Sequence, residues 1–386
     1  MRVTVPPIHK ELLQRVWREE KSLLAAILAI ALCFFVENTT YIGSAGSFGP
    51  LNDVFLVFSF GMVIWNSMAI SRHAERLAKR LGDPYGTMIL TLSAIAVEVV
   101  MVITMMTHGA ADPQVGRDTI YSTLMILLNL VIGLSLFLGW LKFGEQRYNI
   151  RSSKSYLAMI FILVGLGMMF PNVMKHPNLH HHFLYSGFLI FQSLTLYLYF
   201  LKMQSGQLSY FFVNAPQSGL LADSEEEIEE QAFDVSEISF RYHGAFLLLT
   251  LVTVSILAEF FAATIDVTIE HFHAPKALSG LITAVIILSP ESLTAIRAAM
   301  NNQMQRVINI VLGSSLSTVA LTIPAVLIFG AISGRTVILA LQPPQMILLI
   351  ISLLVFSISE TSGETNPVEG LILLSVFAAF IVFIFV

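Results

Sequence analysis

The 386-residue chain is 55% hydrophobic and 12% charged, with a mean hydropathy of +0.76; soluble globular domains carry about 25% charged residues. So much apolar surface excludes an ordinary soluble protein, a disordered chain, a collagen, a disulfide scaffold and a nucleic-acid binder. The single cysteine, Cys33, excludes an internal disulfide and a multi-cysteine metal site.

In chain order, residues 1–22 come first as a charged segment with Ile8, Leu12, Leu13, Val16 and Trp17 near one face. It reads as a cytoplasmic amphipathic helix on the membrane surface. The apolar run after it has no small-x-small cleavage site and is therefore a retained helix, not a signal peptide. Eleven runs are long enough to span a bilayer, which takes about 20 mostly apolar residues. They cover about 23–42, 50–70, 84–107, 119–141, 155–174, 183–203, 243–268, 277–299, 307–330, 343–360 and 369–386. The fold class expected is an all-α polytopic membrane protein. Its parts are a first transmembrane helix (23–49), a five-helix unit (50–203), a linker (204–241) and a second five-helix unit (242–386).

Charge placement gives the orientation. With the N-terminus inside, 17 of the 21 Lys and Arg residues fall on the cytoplasmic side; Arg117, Lys175, Lys276 and Arg335 fall outside. An odd number of spans then puts the C-terminus outside. The linker carries Asp223, Glu225, Glu226, Glu227, Glu229, Glu230, Asp234 and Glu237 with no base among them. The negative net charge belongs to this segment, which reads as a solvated linker or as a cytosolic loop that gathers cations or regulates.

Two carboxylates sit near the middle of their spans: Glu98 in TMILTLSAIAVEVVMVI and Glu291 in LITAVIILSPESLTAI. A charged side chain at a span centre costs at least about 2.5–3.5 kcal/mol, which makes each a functional candidate. Neither has a basic partner in its own helix; Arg297, six residues after Glu291, points elsewhere. Such a carboxyl holds a proton or a metal ion, or is permanently protonated and bonded to a neighbouring helix. Thr87 and Thr91 share the face of Glu98, and Thr294 follows Glu291 by three. Pro290 has no N–H for the Ile286 carbonyl, so a broken helix with free carbonyls is expected there. Oxygen ligands of this kind suit Ca2+, Na+, K+ or Mg2+. Glu259, well inside the seventh span, is expected to face the protein interior, while Asp266 and Glu360 lie near span ends. His180, His181 and His182 read as an outer surface loop, with a metal site as the alternative.

The surroundings of the two glutamates are alike. Each is followed by a polar connection and then a span with a hydroxyl cluster: Ser122 and Thr123 after Glu98, and Ser314, Ser315 and Ser317 after Glu291. The two spans run in opposite directions, so the five-helix units are expected to be inverted repeats, giving 1 + 5 + 5. Inverted repeats with midplane sites are a transporter design.

The stretches RHAERLAKRLGDPYGTMILTLSAIAVE and LSPESLTAIRAAMNNQMQRVINIVLGSSL resemble the cation/proton exchangers (CAX) of the Ca2+/cation antiporter superfamily, and most resemble its bacterial ChaA-type branch. The resemblance implies eleven spans, an acidic central loop and one essential glutamate per repeat, falling on Glu98 and Glu291. The family's Ser-Glu-Phe falls on Ala258, Glu259 and Phe260, and its Gly-Ser-Ser on Gly313, Ser314 and Ser315. There are departures: Gly-Asn before each glutamate becomes Ala94-Ile95 and Leu288-Ser289. The expected asparagine of the fourth span falls on Leu127, with Asn129 two residues on. The missing amides leave room for Na+ or K+ beside Ca2+.

The implied function is a secondary antiporter that exports cytosolic Ca2+, and also Na+ or K+, in exchange for H+ by alternating access. A monovalent Na+(K+)/H+ antiporter is the alternative, and a channel without proton coupling a remote one. An intramembrane enzyme is disfavoured, as no span carries HExxH or GxSxG. No cofactor is expected. The expected partners are the lipid bilayer, inorganic cations and protons, in a bacterial inner membrane; the oligomeric state is open.

Overall fold

A computed structural model describes residues 20–40, 50–81, 85–107, 113–172, 179–206, 208–212, 240–359 and 363–385. Residues 1–19 and most of the acidic linker, including 223–237, lie outside the described residues. Among the described residues the chain is helical, and its β pairing is an isolated Arg147–Glu364 bridge. In chain order the helices are α1 (Lys21–Thr40), α2 (Pro50–Leu81), α3 (Tyr85–Thr107), α4 (Val115–Met125), α5 (Ile132–Phe143), α6 (Ile150–Val164), α7 (Leu179–Ser205), α8 (Phe240–His271), α9 (Ala277–Ala299), α10 (Met304–Ser317), α11 (Ile323–Ser333), α12 (Pro343–Ser359) and α13 (Pro367–Phe385). A π turn, Ile126–Val131, joins α4 to α5 in one rod, and another, Thr318–Thr322, joins α10 to α11. A third, Gly165–Met169, extends α6.

Each of the eleven apolar runs falls on one of these rods. Among the described residues, eight helices are long and apolar enough to cross a membrane, and the described parts of α1, α3 and α12 are shorter apolar helices. Lipid-facing rods explain why large side chains such as Phe35, Phe183, Phe191 and Ile332 stay exposed.

Two of the expectations change here. α9 runs unbroken through Pro290, whose carbonyl accepts from Thr294 Oγ1 at 2.8 Å. One missing N–H costs the Ile286 carbonyl its intrahelical donor without breaking the rod. His180, His181 and His182 belong to the opening turns of α7 rather than to a loop; their side chains lie outside the described residues.

The buried apolar residues form two main cores. One gathers Met62, Val63 and Ile70 of α2 with Val254, Leu257 and Phe261 of α8, and α1 adds Ala26 and Ala29. The larger core is built from α4 to α7 and α9 to α13. The two meet along α3 and α9. α3 gives Val97, Met101 and Met105 to the first core and Val102 and Met106 to the second; α9 gives Ile286 and Ile287 to the first and Ala284, Leu288 and Ala295 to the second.

Without a hydrophobic drive between helices in lipid, close packing of small residues does much of the joining. A Cβ on Gly370 would lie 2.8 Å from the Gly133 carbonyl oxygen, so α5 and α13 touch backbone to backbone. α9 meets α4 in the same way: a Cβ on Gly280 would sit 2.8 Å from the Asp118 carbonyl carbon. Next to that crossing Arg117, predicted on the outer side, is buried. It donates to Asp118 Oδ1 at 2.8 Å, to Gln114 Oε1 at 2.8 Å and to the Ala340 carbonyl at 3.2 Å.

α1, α2 and α8 are also tied by polar groups. Glu20, 2% exposed, accepts from Tyr242 Oη at 2.7 Å and pairs with His73 Nε2 at 3.3 Å. His73 Nδ1 lies 3.1 Å from His243 Nδ1. Burial alone would raise the Glu20 pKa, but the bonds from His73 and Tyr242 and the charges of His73 and Arg72 outweigh it, and the pKa lies below the ordinary value. A carboxylate whose pKa is lowered by folding stabilises the fold above its unfolded pKa, and that stability is lost as pH falls through the folded value. Thermal unfolding is therefore expected to show this contribution intact at neutral pH and fading below about pH 4. Glu20→Ala removes the shared acceptor of buried His73 and half-buried Tyr242, and a loss of about 1–3 kcal/mol for the buried group left unpaired is expected. In a Glu20→Ala protein the acid-sensitive component should be absent; if it persists unchanged, the tie is not the source.

Candidate functional site at the seam between the cores

The two midspan glutamates come from the seam helices. Glu98 on α3 is 3% exposed and accepts from Thr318 Oγ1 at 2.8 Å. Thr318 opens the π turn of the α10–α11 rod, so its hydroxyl crosses from the second half of the chain to the glutamate of the first. Thr322, one turn on, flanks the same carboxyl. Glu98 Oε1 and the Thr322 hydroxyl are both buried, and beyond their approach to each other neither has a hydrogen-bond partner among the described residues. Buried polar atoms are nearly always paired, and a cation or an added proton would complete the bonding of both oxygens.

Glu291 on α9 is half-buried and accepts from Ser314 Oγ. The carboxyls of Glu98 and Glu291 are near enough for their charges to interact. Arg297 lies exposed near the end of α9. The site is therefore two carboxylates on two helices, each bonded by a hydroxyl from a third rod. Among the described residues no group of three or more His, Cys, Asp and Glu side chains is placed to hold a metal ion. A cation here would be held by the carboxylates and hydroxyl oxygens, a donor set for hard cations.

Ser314, Thr318 and Thr322 recur every four residues and so share one face of the rod. That spacing was in the sequence, and it is the signal by which Thr318 and Thr322 were open to detection. Of the other candidate residues, several engage partners elsewhere. Thr91 hydrogen-bonds with Tyr197 of α7. Asn129, in the Ile126–Val131 π turn, donates to Ser352 Oγ at 3.0 Å, and its carbonyl oxygen is buried without a partner among the described residues. Ser289 donates to the Val285 carbonyl and Ser315 to the Val311 carbonyl, closing their own helical turns as Thr294 does. Thr123 is fully buried with its hydroxyl unpaired among the described residues. Glu259 corrects an expectation: it lies on an exposed face of α8 and not in the protein interior. Its neighbours Leu257, Ala258 and Phe261 take the buried positions. The side chains of Thr87 and Asp266, and all of Glu360, lie outside the described residues.

A family model described as sodium/calcium exchanger protein matches residues 53–206 and 242–386, taking in most of the chain. The chain belongs to the sodium/calcium exchanger protein family. One glutamate of the site falls in each matched part of this exchanger. It is 32% identical over 95% of its length, and 96% of the relative's, to the sodium-potassium/proton antiporter ChaA of Escherichia coli. It is 22% identical to a Ca2+/H+ antiporter of Synechocystis, covering 79% of this chain and 83% of that one. The exchanger shares its fold with a solved structure of native YfkE, at a TM-score of 0.69 and 17% identity over 94% of this chain and 99% of the other.

Proposed function

We propose that this exchanger is a secondary active cation:proton antiporter in which Glu98 and Glu291 bind a cation or protons in turn. The observation that carries this reading is the meeting of two midspan carboxyls, one from each half, under the hydroxyls of one rod. The similarity to proton antiporters in both sequence comparisons supports it.

The chemistry follows from charge. Two ionised carboxylates facing each other in a low-dielectric site repel, and the empty doubly charged pair is costly. Two protons neutralise it, and so does one divalent cation. One monovalent cation with one retained proton does the same. Cytosolic cation entering the site releases protons; after the site changes its exposure, external protons release the cation. Ca2+ is then expected to exchange for two protons per ion and Na+ or K+ for one. Thr318 and Ser314 would orient the carboxyls and donate neutral oxygens to the ion.

The architecture proposed with this function is eleven spans as 1 + 5 + 5, with inverted repeats at 50–203 and 242–386, the linker 204–241 and the N-terminus in the cytosol, and the C-terminus outside a bacterial inner membrane. The paired π turns 126–131 and 318–322, each after its half's hydroxyl cluster, agree with a repeat.

The test is reconstitution in liposomes with a trapped pH dye, adding Ca2+, Na+, K+ and Mg2+ in turn. Proton movement with Ca2+ supports calcium exchange. A monovalent Na+(K+)/H+ antiporter is the second reading, favoured by the 32% identity to the sodium-potassium/proton antiporter and by hydroxyls, not amides, as the site's neutral donors. Proton movement with Na+ or K+ alone would select it. Cation flux without proton movement would remove the antiporter reading.

Exposure within the site gives a second expectation. Ser314 is half-buried and Thr318 is 1% exposed, while Cys33, the native cysteine, is buried. Labelling by a hydrophilic thiol reagent is expected to be fast for Ser314→Cys and slow for Thr318→Cys. Equal rates would show that the site is not closed on the Glu98 side.

A further inference from the structure

The tie among α1, α2 and α8 borders a cavity of about 370 Å3 that the transport site does not use. Lys21, Arg72 and Arg76 line it, and so does the first turn of α1. The amides of Lys21, Ser22 and Leu23 have no acceptor within the helix, and the helix dipole points its positive end the same way. Ser22 adds an independent sign: it lines the cavity, is 1% exposed, and its hydroxyl has no hydrogen-bond partner among the described residues. A buried unpaired hydroxyl beside three cationic side chains calls for an acceptor with several oxygens. The wall thus carries three cationic side chains against one acid, Glu20, which accepts from Tyr242, pairs with His73 and faces Arg72.

His73 also lines the cavity, and Trp65 sets its depth. Trp65 is 43% exposed, and it precedes Arg72 by seven residues, about 10 Å along the helix. Tryptophan concentrates at the headgroup level. The cavity thus spans from that level to a basic end, between helices that positive-inside placement puts at the cytoplasmic face. Basic pockets in that position suit phosphate headgroups.

We propose that this cavity is a phosphate-binding site, taking the phosphate of an anionic phospholipid or free inorganic phosphate. The full-length protein in detergent is titrated with phosphatidylglycerol and with phosphatidylcholine, and bound lipid is counted by native mass spectrometry. The same protein is melted with inorganic phosphate against chloride at equal ionic strength. Preferential retention of phosphatidylglycerol, weakened about tenfold or more in Lys21→Gln/Arg72→Gln, supports the lipid source. A melting shift with phosphate, lost in the same variant and without lipid preference, supports the free anion. Ser22→Ala is expected to weaken either. Arg147→Gln, at a side chain 79% exposed in another part of the molecule, is expected to leave binding unchanged. Lys21 is exposed, so Lys21→Gln alone carries the test if the double variant does not fold. Equal retention of both lipids with no phosphate shift overturns the proposal, as does a preference that survives Lys21→Gln, Lys21→Gln/Arg72→Gln and Ser22→Ala alike.

Discussion

Glu98→Gln is expected to reduce cation-driven proton movement in liposomes to the level of protein-free vesicles, with the protein still folded. Glutamine keeps the length of the side chain and an oxygen to accept from Thr318, whose bond to Glu98 is 2.8 Å. It has no proton to release and no charge to give a cation. The variant therefore separates chemistry from packing, and its circular dichroism and elution should match wild type. Glu291→Gln is expected to cause the same loss, since the neutral donor from Ser314 also survives it. Groups that act as a unit are non-additive, so the double variant should be no worse than either single one. A folded Glu98→Gln protein that exchanges at the wild-type rate would sink the proposed mechanism.

Gly280→Leu is expected to be strongly damaging to the packing of α9, the helix that also carries Glu291. A Cβ at 280 would lie 2.8 Å from the Asp118 carbonyl carbon and 2.9 Å from the Thr119 nitrogen. Both are backbone atoms, which cannot rotate away as a side chain does. Overpacking of a core typically costs about 1–3 kcal/mol, and Gly280→Leu is expected at or above the upper end, with Gly280→Ala below it. α9 also carries Glu291, so pushing α9 off α4 should reduce exchange before it unfolds the protein. Gly187→Ala is the control: nothing lies within 4 Å of a Cβ there. On a helix that change is expected to be neutral or to stabilise by up to about 1 kcal/mol. Melting curves of the variants check the order, and a Gly280→Leu protein that melts with wild type would refute the close crossing.

Much of this was open to reading in the sequence, for a physical reason. A bilayer demands a long apolar run for each rod, so each apolar run in the sequence falls on a helical rod among the described residues, and isolated midspan carboxyls singled out Glu98 and Glu291. Hydropathy gives depth along a span but not the direction a side chain takes around it. Glu259 was placed inward on depth alone and stands on an exposed face. Thr91 shares a helical face with Glu98 but its hydroxyl goes to Tyr197, because partners come from other helices. Pro290 marked a break that neighbouring turns absorb. The π turns among the described residues, at 126–131, 165–169 and 318–322, contain no proline themselves, although Pro171 and Pro324 follow two of them within two residues. A π turn adds one residue to a helical turn, too little to disturb an apolar run. Thr318 is the residue whose importance follows: its position at the start of such a turn presents its hydroxyl to the opposite half of the chain.

The seam has a thermodynamic corollary. α3 and α9 each contribute to both cores, so whatever occupies Glu98 and Glu291 sits on the boundary between two bodies and not inside either. In the proposed mechanism an ion there would act as a removable rivet. Its binding energy is drawn partly from the relative position of the bodies, and by linkage any force that shifts one against the other changes its affinity. Lateral pressure in the bilayer is such a force. The affinity of this exchanger for its cation is therefore a property of the protein and its membrane together, and should vary with lipid thickness when the sequence does not change.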